Sequence, residues 1–133
     1  MLDRRYLAGS LILGFALCLM GCSSPTLVSI AITPNAAYFS DAPGLTRQFT
    51  AIGTFAQGNH PKTTQDITDE VTWTSNATGV VTVSSTGLVT TTGVDYGTSD
   101  ITARLNGFTG LIVANATAEV CEASQKATST GCE

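Results

Sequence analysis

At 133 residues the chain has room for one ordinary domain, which excludes a two-domain enzyme. Charged residues make up 12% and apolar residues 43%, with a net charge of −4. Neither a charge-rich disordered protein nor a nucleic-acid binder held by a basic surface fits that balance.

The first 21 residues have the parts of an export segment. Arg4 and Arg5 supply the positive start, an uncharged run of 15 residues follows from Tyr6 to Met20, and Gly21 precedes Cys22. That run is short for a spanning helix, which needs ~20 apolar residues. Tyr6-Leu7-Ala8 fits the twin-arginine consensus poorly, which favours the general export route. Leu19-Met20-Gly21-Cys22 resembles the lipobox of bacterial lipoproteins, with Met20 standing where a small or β-branched residue is more usual. The resemblance implies cleavage before Cys22, acylation of that cysteine, and a membrane partner reached through the lipid.

Cleavage there would leave nine acidic residues against four basic ones, Arg47, Lys62, Arg104 and Lys126. So acidic a module will not lie flat on an anionic bilayer through electrostatics, so attachment falls to the lipid. Residues 22–26 form a tether. Ser23 to Thr26 span roughly 13–14 Å when fully extended at ~3.3–3.6 Å per residue, which keeps the domain close to its membrane. Ser23 behind the lipidated cysteine resembles outer-membrane cargo in the enterobacterial sorting pattern.

Residues 27–120 alternate with period two, the signature of half-buried strands. Val28, Ile30 and Ile32 share one face before Pro34. Phe49, Ala51, Gly53 and Phe55 share another. Val71 with Trp73, Val81 with Val83, and Ile101 with Ala103 and Leu105 follow. Ile112, Ala114, Ala116, Ala118 and Val120 close the series. The 22 threonines concentrate on outward positions, where a β-branched hydroxyl suits a solvated pleat. Turn residues fall between the runs, among them Pro43-Gly44, Thr86-Gly87, Tyr96-Gly97 and Asn106-Gly107. Asn106-Gly107 predicts a type I′ hairpin. Seven or so short strands suit an all-β, two-sheet sandwich of immunoglobulin size, with Trp73, Val71, Phe49, Ile30 and Ile101 in its core.

These residues carry a resemblance. Val28-Ser29-Ile30-Ala31-Ile32-Thr33-Pro34, Arg47-Gln48-Phe49-Thr50-Ala51, Asp66-Ile67-Thr68 leading into Val71-Thr72-Trp73-Thr74-Ser75, Val81-Thr82-Val83-Ser84 with Gly87-Leu88-Val89, and Gly97 with Ile101-Thr102-Ala103 are similar to the group 2 bacterial immunoglobulin-like domain. The resemblance implies a spacer or binding module without catalytic residues. The stretch from Gln57 to Gln65 is longer than a tight turn.

Residues 121–133 form a tail. Cys18 leaves with the export segment and Cys22 is taken by lipid, so Cys121 and Cys132 remain and are expected to pair in an oxidising compartment. Zinc would need closely spaced Cys or His ligands, and the sole histidine, His60, lies far off in sequence. His60 also has no strand or helix to hold it beside a nucleophile, which argues against a Ser-His-Asp or Cys-His machine. Trp73, in phase with Val71 on an expected central strand, reads as packing rather than a sugar platform. Asp66, Asp69 and Glu70 are oxygen ligands close in sequence but lack the glycine turn and spacing of an EF-hand loop, and Asp95 and Asp100, flanking Tyr96-Gly97, are a second and weaker candidate group. Asn76-Ala77-Thr78 and Asn115-Ala116-Thr117 match the N-glycosylation pattern, an accidental match in a bacterial lipoprotein. No glycine-rich phosphate loop is present.

The expected function is therefore that of a lipid-anchored, non-catalytic binding or structural module at the bacterial cell envelope, in the outer membrane, without cofactor or nucleic acid. Its partner would be an envelope protein or a glycan. An accessory protein recognising carbohydrate or a metal-dependent ligand is the alternative, and a small hydrolase ranks last.

Overall fold

Period-two patterning becomes strands throughout the computed structural model, which describes residues 23–107 and 110–133. The export segment and Cys22 lie outside the described residues. Ten strands follow in order: β1 (Thr26–Thr33), β2 (Ala36–Phe39), β3 (Thr46–Gln48), β4 (Thr50–Ala56), β5 (Thr63–Asp66), β6 (Thr72–Ser75), β7 (Val81–Val83), β8 (Leu88–Thr91), β9 (Gly97–Gly107) and β10 (Gly110–Val120). The count exceeds seven because Ala36–Phe39 and Thr63–Asp66, which lie outside the runs of period two, are strands, and because the run through Phe49 is interrupted. Pro34, which has no N–H to donate, separates β1 from β2, and Phe49 separates β3 from β4.

One layer is the sheet β2-β10-β9-β6. The other consists of β1-β4-β5 and β3-β8-β7, joined through the nearly continuous β3 and β4. At the junction Phe49 turns its ring fully inward and its N–H bonds the Gly87 carbonyl at 2.9 Å. The chain thus begins antiparallel to β4 in one layer, then changes layers after Pro34 so that β2 runs parallel to β10. The protein is an all-β immunoglobulin-like sandwich.

Between the layers lie Leu27, Ile32, Phe39, Phe49, Ile67, Val71, Trp73, Val81, Val89, Ile101 and Val120. Ile30 is only partly buried and packs against this cluster. The expected phase of β1 fails at its start. Leu27 is buried and Val28 is 42% exposed, because a bulge between Leu27 and Ser29 shifts the register against β4 and reverses the facing of the first residues. Trp73 is buried, but β6 is the edge strand of its sheet rather than a central one. Thr102, expected on the solvated face, is nearly buried there and its hydroxyl donates to Asn115 Oδ1 at 2.9 Å.

The β9–β10 hairpin turns two residues later than expected. Asn106 pairs with Leu111 and Gly107 with Gly110, so Asn106-Gly107 continues the ladder and the connection falls at residues 108–109, outside the described residues. Eleven consecutive pairs, from Gly110↔Gly107 to Val120↔Gly97, hold these two strands. A long ladder with inward residues on both strands outweighs the local preference of an Asn-Gly pair.

Candidate functional site

The Asp66-Ile67-Thr68 segment carries the chain from β5 across to β6. Ile67 is buried, and its N–H bonds the Ala51 carbonyl at 2.9 Å, prolonging the β4–β5 ladder by one step. Thr68 Oγ1 donates to Asp66 Oδ1 at 2.6 Å and accepts the Ala51 N–H at 3.0 Å. The Thr68 N–H also donates to Asp66 Oδ1, at 2.9 Å. The Thr68 carbonyl accepts the Trp73 indole N–H at 2.9 Å. The hydroxyl of Thr68 is thus the link between a strand, a carboxylate and the turn that receives the tryptophan, a role that sequence reading does not assign to it. The two Thr68 donors hold the Asp66 carboxyl below its ordinary value of 3.8, the hydroxyl contributing most.

Beside this segment is an open depression of about 570 Å³, lined by Gln48, Thr50, Asp66, Thr68, Asp69, Glu70 and Thr86 among others. Its floor is rigid on one side, because Gln48 Nε2 donates both to the Phe49 carbonyl at 2.8 Å and to the Thr86 carbonyl at 2.6 Å. The acidic group read from the sequence does gather here. Even so, no three His, Cys, Asp or Glu side chains converge into a metal-binding group among the described residues. The hollow offers hydroxyls, amides and carboxylates to water, the chemistry of a weak polar contact surface.

The remaining candidates are dispersed. His60 is exposed in the β4–β5 hairpin, where its N–H bonds the Gln57 carbonyl at 3.0 Å. Asp95 and Asp100 sit on either side of Gly97, and Asp100 is engaged by Asn76. The Asn76 Nδ2 donates to Asp100 Oδ2 at 3.1 Å, while Asn76 Oδ1 accepts the Asp100 N–H at 2.8 Å. The same oxygen accepts from the fully buried Ser99 hydroxyl at 3.2 Å, and Ser75 Oγ lies 2.8 Å from Ser99 Oγ. This network satisfies the buried polar groups where β6 leaves the sheet.

Cys121 and Cys132 are joined by a disulfide across a Cα separation of 5.3 Å. Cys121 is buried, its N–H bonds the Phe39 carbonyl at 2.9 Å, and the tail folds back on itself through paired bonds between Lys126 and Glu133. Thr128 and Ser129 of the tail face Pro34, Ala36, Tyr38 and Arg47 across a small hollow of about 210 Å³. The tail therefore borders the β2 edge.

Exposed apolar side chains occupy both ends of the sandwich. Leu111 is 59% and Val113 46% exposed on the outer face of β10, and Val28 is exposed at the β1 bulge. Val94 at 77% and Tyr96 at 60% project from the turn before β9 at the other end.

The bacterial Ig-like domain (group 2) matches residues 28–114. Ice-binding protein 1 of Shewanella frigidimarina is 48% identical over 80 residues, covering 60% of this chain and 8% of that protein. The matched stretch is thus a small part of the relative. With a matching β1-to-β10 sequence, a tryptophan seated on the Asp-Ile-Thr turn and a sandwich of the expected layers, the chain belongs to the bacterial Ig-like domain (group 2) family.

Proposed function

We propose that this protein is a lipid-anchored, non-catalytic module of the bacterial cell envelope, attached through Cys22 to the outer membrane and holding or binding a neighbouring envelope component. Family membership supports a surface or binding module. The similarity to Ice-binding protein 1 supports an extracellular or surface-associated, non-enzymatic role. Because the matched stretch is 8% of that protein, ice binding itself is not part of the reading.

The observation that carries it is where the chemistry-bearing side chains are spent. The Trp73 indole is committed to Thr68, the Asp66 carboxylate to the same residue, and Asn76 to Asp100. His60, the only imidazole, stands on a hairpin. The test is Cys22→Ser in cells. The reading expects loss of the acyl mass and release from the membrane fraction or arrested maturation. A variant that is cleaved at the same place and stays membrane-bound overturns it.

A carbohydrate-recognising accessory role is favoured by one observation, the polar hollow around Asp69, Glu70, Thr50 and Thr86. Titration of envelope glycans into wild type and a Gln48→Ala, Asp69→Ala double variant separates the two. Saturable binding lost in the variant supports recognition there.

A further inference from the structure

We infer that the end of the sandwich nearest the chain's start is a membrane-facing surface that seats on the headgroups of an anionic bilayer. The inference rests on the lipid-anchor reading and adds to it an orientation and a second contact.

Three segments meet at this end. The Ser23 carbonyl accepts a bond from Gln57 Nε2 at 2.5 Å, and Thr26 pairs with Ala56, so the chain's start is fastened to the β4–β5 hairpin. Gly107, at the turn end of β9, approaches the Leu27 carbonyl so closely that a Cβ there would lie 3.2 Å from its oxygen. The tether is therefore shorter than its residue count suggests. With Ser23 held by Gln57, about one residue, or ~3.5 Å of extended chain, separates Cys22 from the fold. An acylated Cys22 brings the bilayer to these two hairpins.

The charge distribution fits that surface. From Ser23 to Ser40, from Thr50 to Gln65 and from Ile101 to Ala118 there is no Asp or Glu, and these stretches carry Lys62, Arg104 and His60. The closest carboxylates are Asp66, beside Ile52, and Asp69 and Glu70, just before the Thr72 that pairs with Arg104. Asp95, Glu119 and Glu122 belong to the opposite end, where Val120 pairs with Gly97. Lys62 and Arg104 thus offset Asp69 and Glu70 near the anchor, whereas the opposite end is net acidic even with Lys126, so the protein is polarised with its least acidic end beside the anchor and its acidic end held away from an anionic surface. Each base near such a surface contributes about 1 kcal/mol of attraction within a Debye length.

The apolar groups complete the match. Val28, Leu111 and Val113 are exposed at this end, and Val113 lies directly across the ladder from Arg104. Apolar side chains flanked by bases are the composition of a shallow interfacial contact, in which the side chains enter the headgroup boundary while the cations meet lipid phosphates. Val94 and Tyr96, the most exposed apolar pair among the described residues, then point outward from the membrane. The 11 residues of β9 set the two ends roughly 35 Å apart at ~3.3 Å per residue.

The test uses the full chain, acylated in cells and reconstituted into vesicles of phosphatidylcholine with phosphatidylglycerol. A fluorophore is placed by Asn106→Cys or by Val94→Cys, and quenched by lipids nitroxide-labelled at the headgroup. Intact mass reports the acyl group separately. The expected result is strong quenching at position 106, little at position 94, and a fall at 106 when Lys62→Gln and Arg104→Gln are combined. At ~1 kcal/mol per base, the ratio of seated to unseated protein should drop about fivefold for each. Acylated protein quenched equally at both positions, or unaffected by removal of both bases, overturns the inference and leaves the anchor standing. Protein without acyl mass overturns both.

Discussion

The indole N–H of Trp73 bonds the carbonyl of Thr68 at 2.9 Å, across the turn that carries the chain from one sheet edge to the other. The ring's opposite constraint is Gly87, where a Cβ would lie 3.0 Å from Trp73 Cζ2 and collide with the Phe49 carbonyl oxygen. One aromatic side chain is thereby fixed by a hydrogen bond at its polar tip and by a bare backbone against its face. Trp73→Ala should cost about 3–5 kcal/mol, through both the lost burial and the cavity left behind. Chemical denaturation checks this, and an unmoved midpoint would place the ring outside the core.

Gly87 and Gly44 have nearly the same dihedral, φ of 77° and 76°, in different surroundings. A Cβ at Gly44 meets nothing within 4 Å. Gly44→Ala should therefore cost only the backbone strain, roughly 1 kcal/mol, whereas Gly87→Ala adds steric conflict and should cost several-fold more. Thermal melts of the two variants give the comparison directly, and equal shifts would show that the Trp73 contact is dispensable.

Thr68→Val keeps the shape and deletes the hydroxyl. The Ala51 N–H loses its acceptor and Asp66 loses its closer donor, and a buried donor left unpaired costs about 1–3 kcal/mol. Urea unfolding should show that loss, and Thr68→Ser should restore most of it.

Asp66 gives a pH signature of the same link. Its carboxyl is held below 3.8 by the Thr68 hydroxyl and N–H, so its folded-state pKa is depressed. The stabilisation is complete above 3.8 and is lost as pH falls below it, through the folded value. Asp66→Asn should flatten the decline in stability across that acid range. A wild type and variant that fall in parallel would detach Asp66 from the fold's acid sensitivity.

Reduction of Cys121–Cys132 should free residues 122–133 before it loosens the sandwich. The closed loop is worth roughly 3 kcal/mol in the chain-entropy model, but all of it lies after β10. Hydrogen exchange should accelerate at Lys126 and Thr128 while β10 amides stay protected. Simultaneous exchange of β10 would show that the tail braces the β2 edge.

The inner faces of the long strands were legible because a period of two leaves little freedom once one face is buried. Phe49, Ala51, Ile101, Ala103 and Val120 are all inside. What escaped were features settled by partner strands rather than by local preference. The bulge after Leu27 depends on the register with Phe55 and Thr54, and Asn106-Gly107 is drawn into the ladder by Leu111 and Gly110. The importance of Thr68 was hidden for another reason. Among so many threonines, composition marks them as strand formers, and only the three-dimensional approach of Asp66, Ala51 and Trp73 distinguishes this one. The bases and apolar residues gathered near Ser23 come from three separate stretches, which only the topology unites.

The parallel pairing of β2 with β10 has a mechanical consequence. The chain enters the sandwich at the Thr26 end and leaves it at the Val120 end, so tension drawn between β1 and the tail runs along the strands. Bonds from Ala36↔Thr117 to Phe39↔Val120 lie across that pull and are loaded in shear, sharing the force instead of opening one at a time. A module built this way resists stretching at its first and last strands, because no single hydrogen bond of the β2–β10 pairing has to carry the load alone.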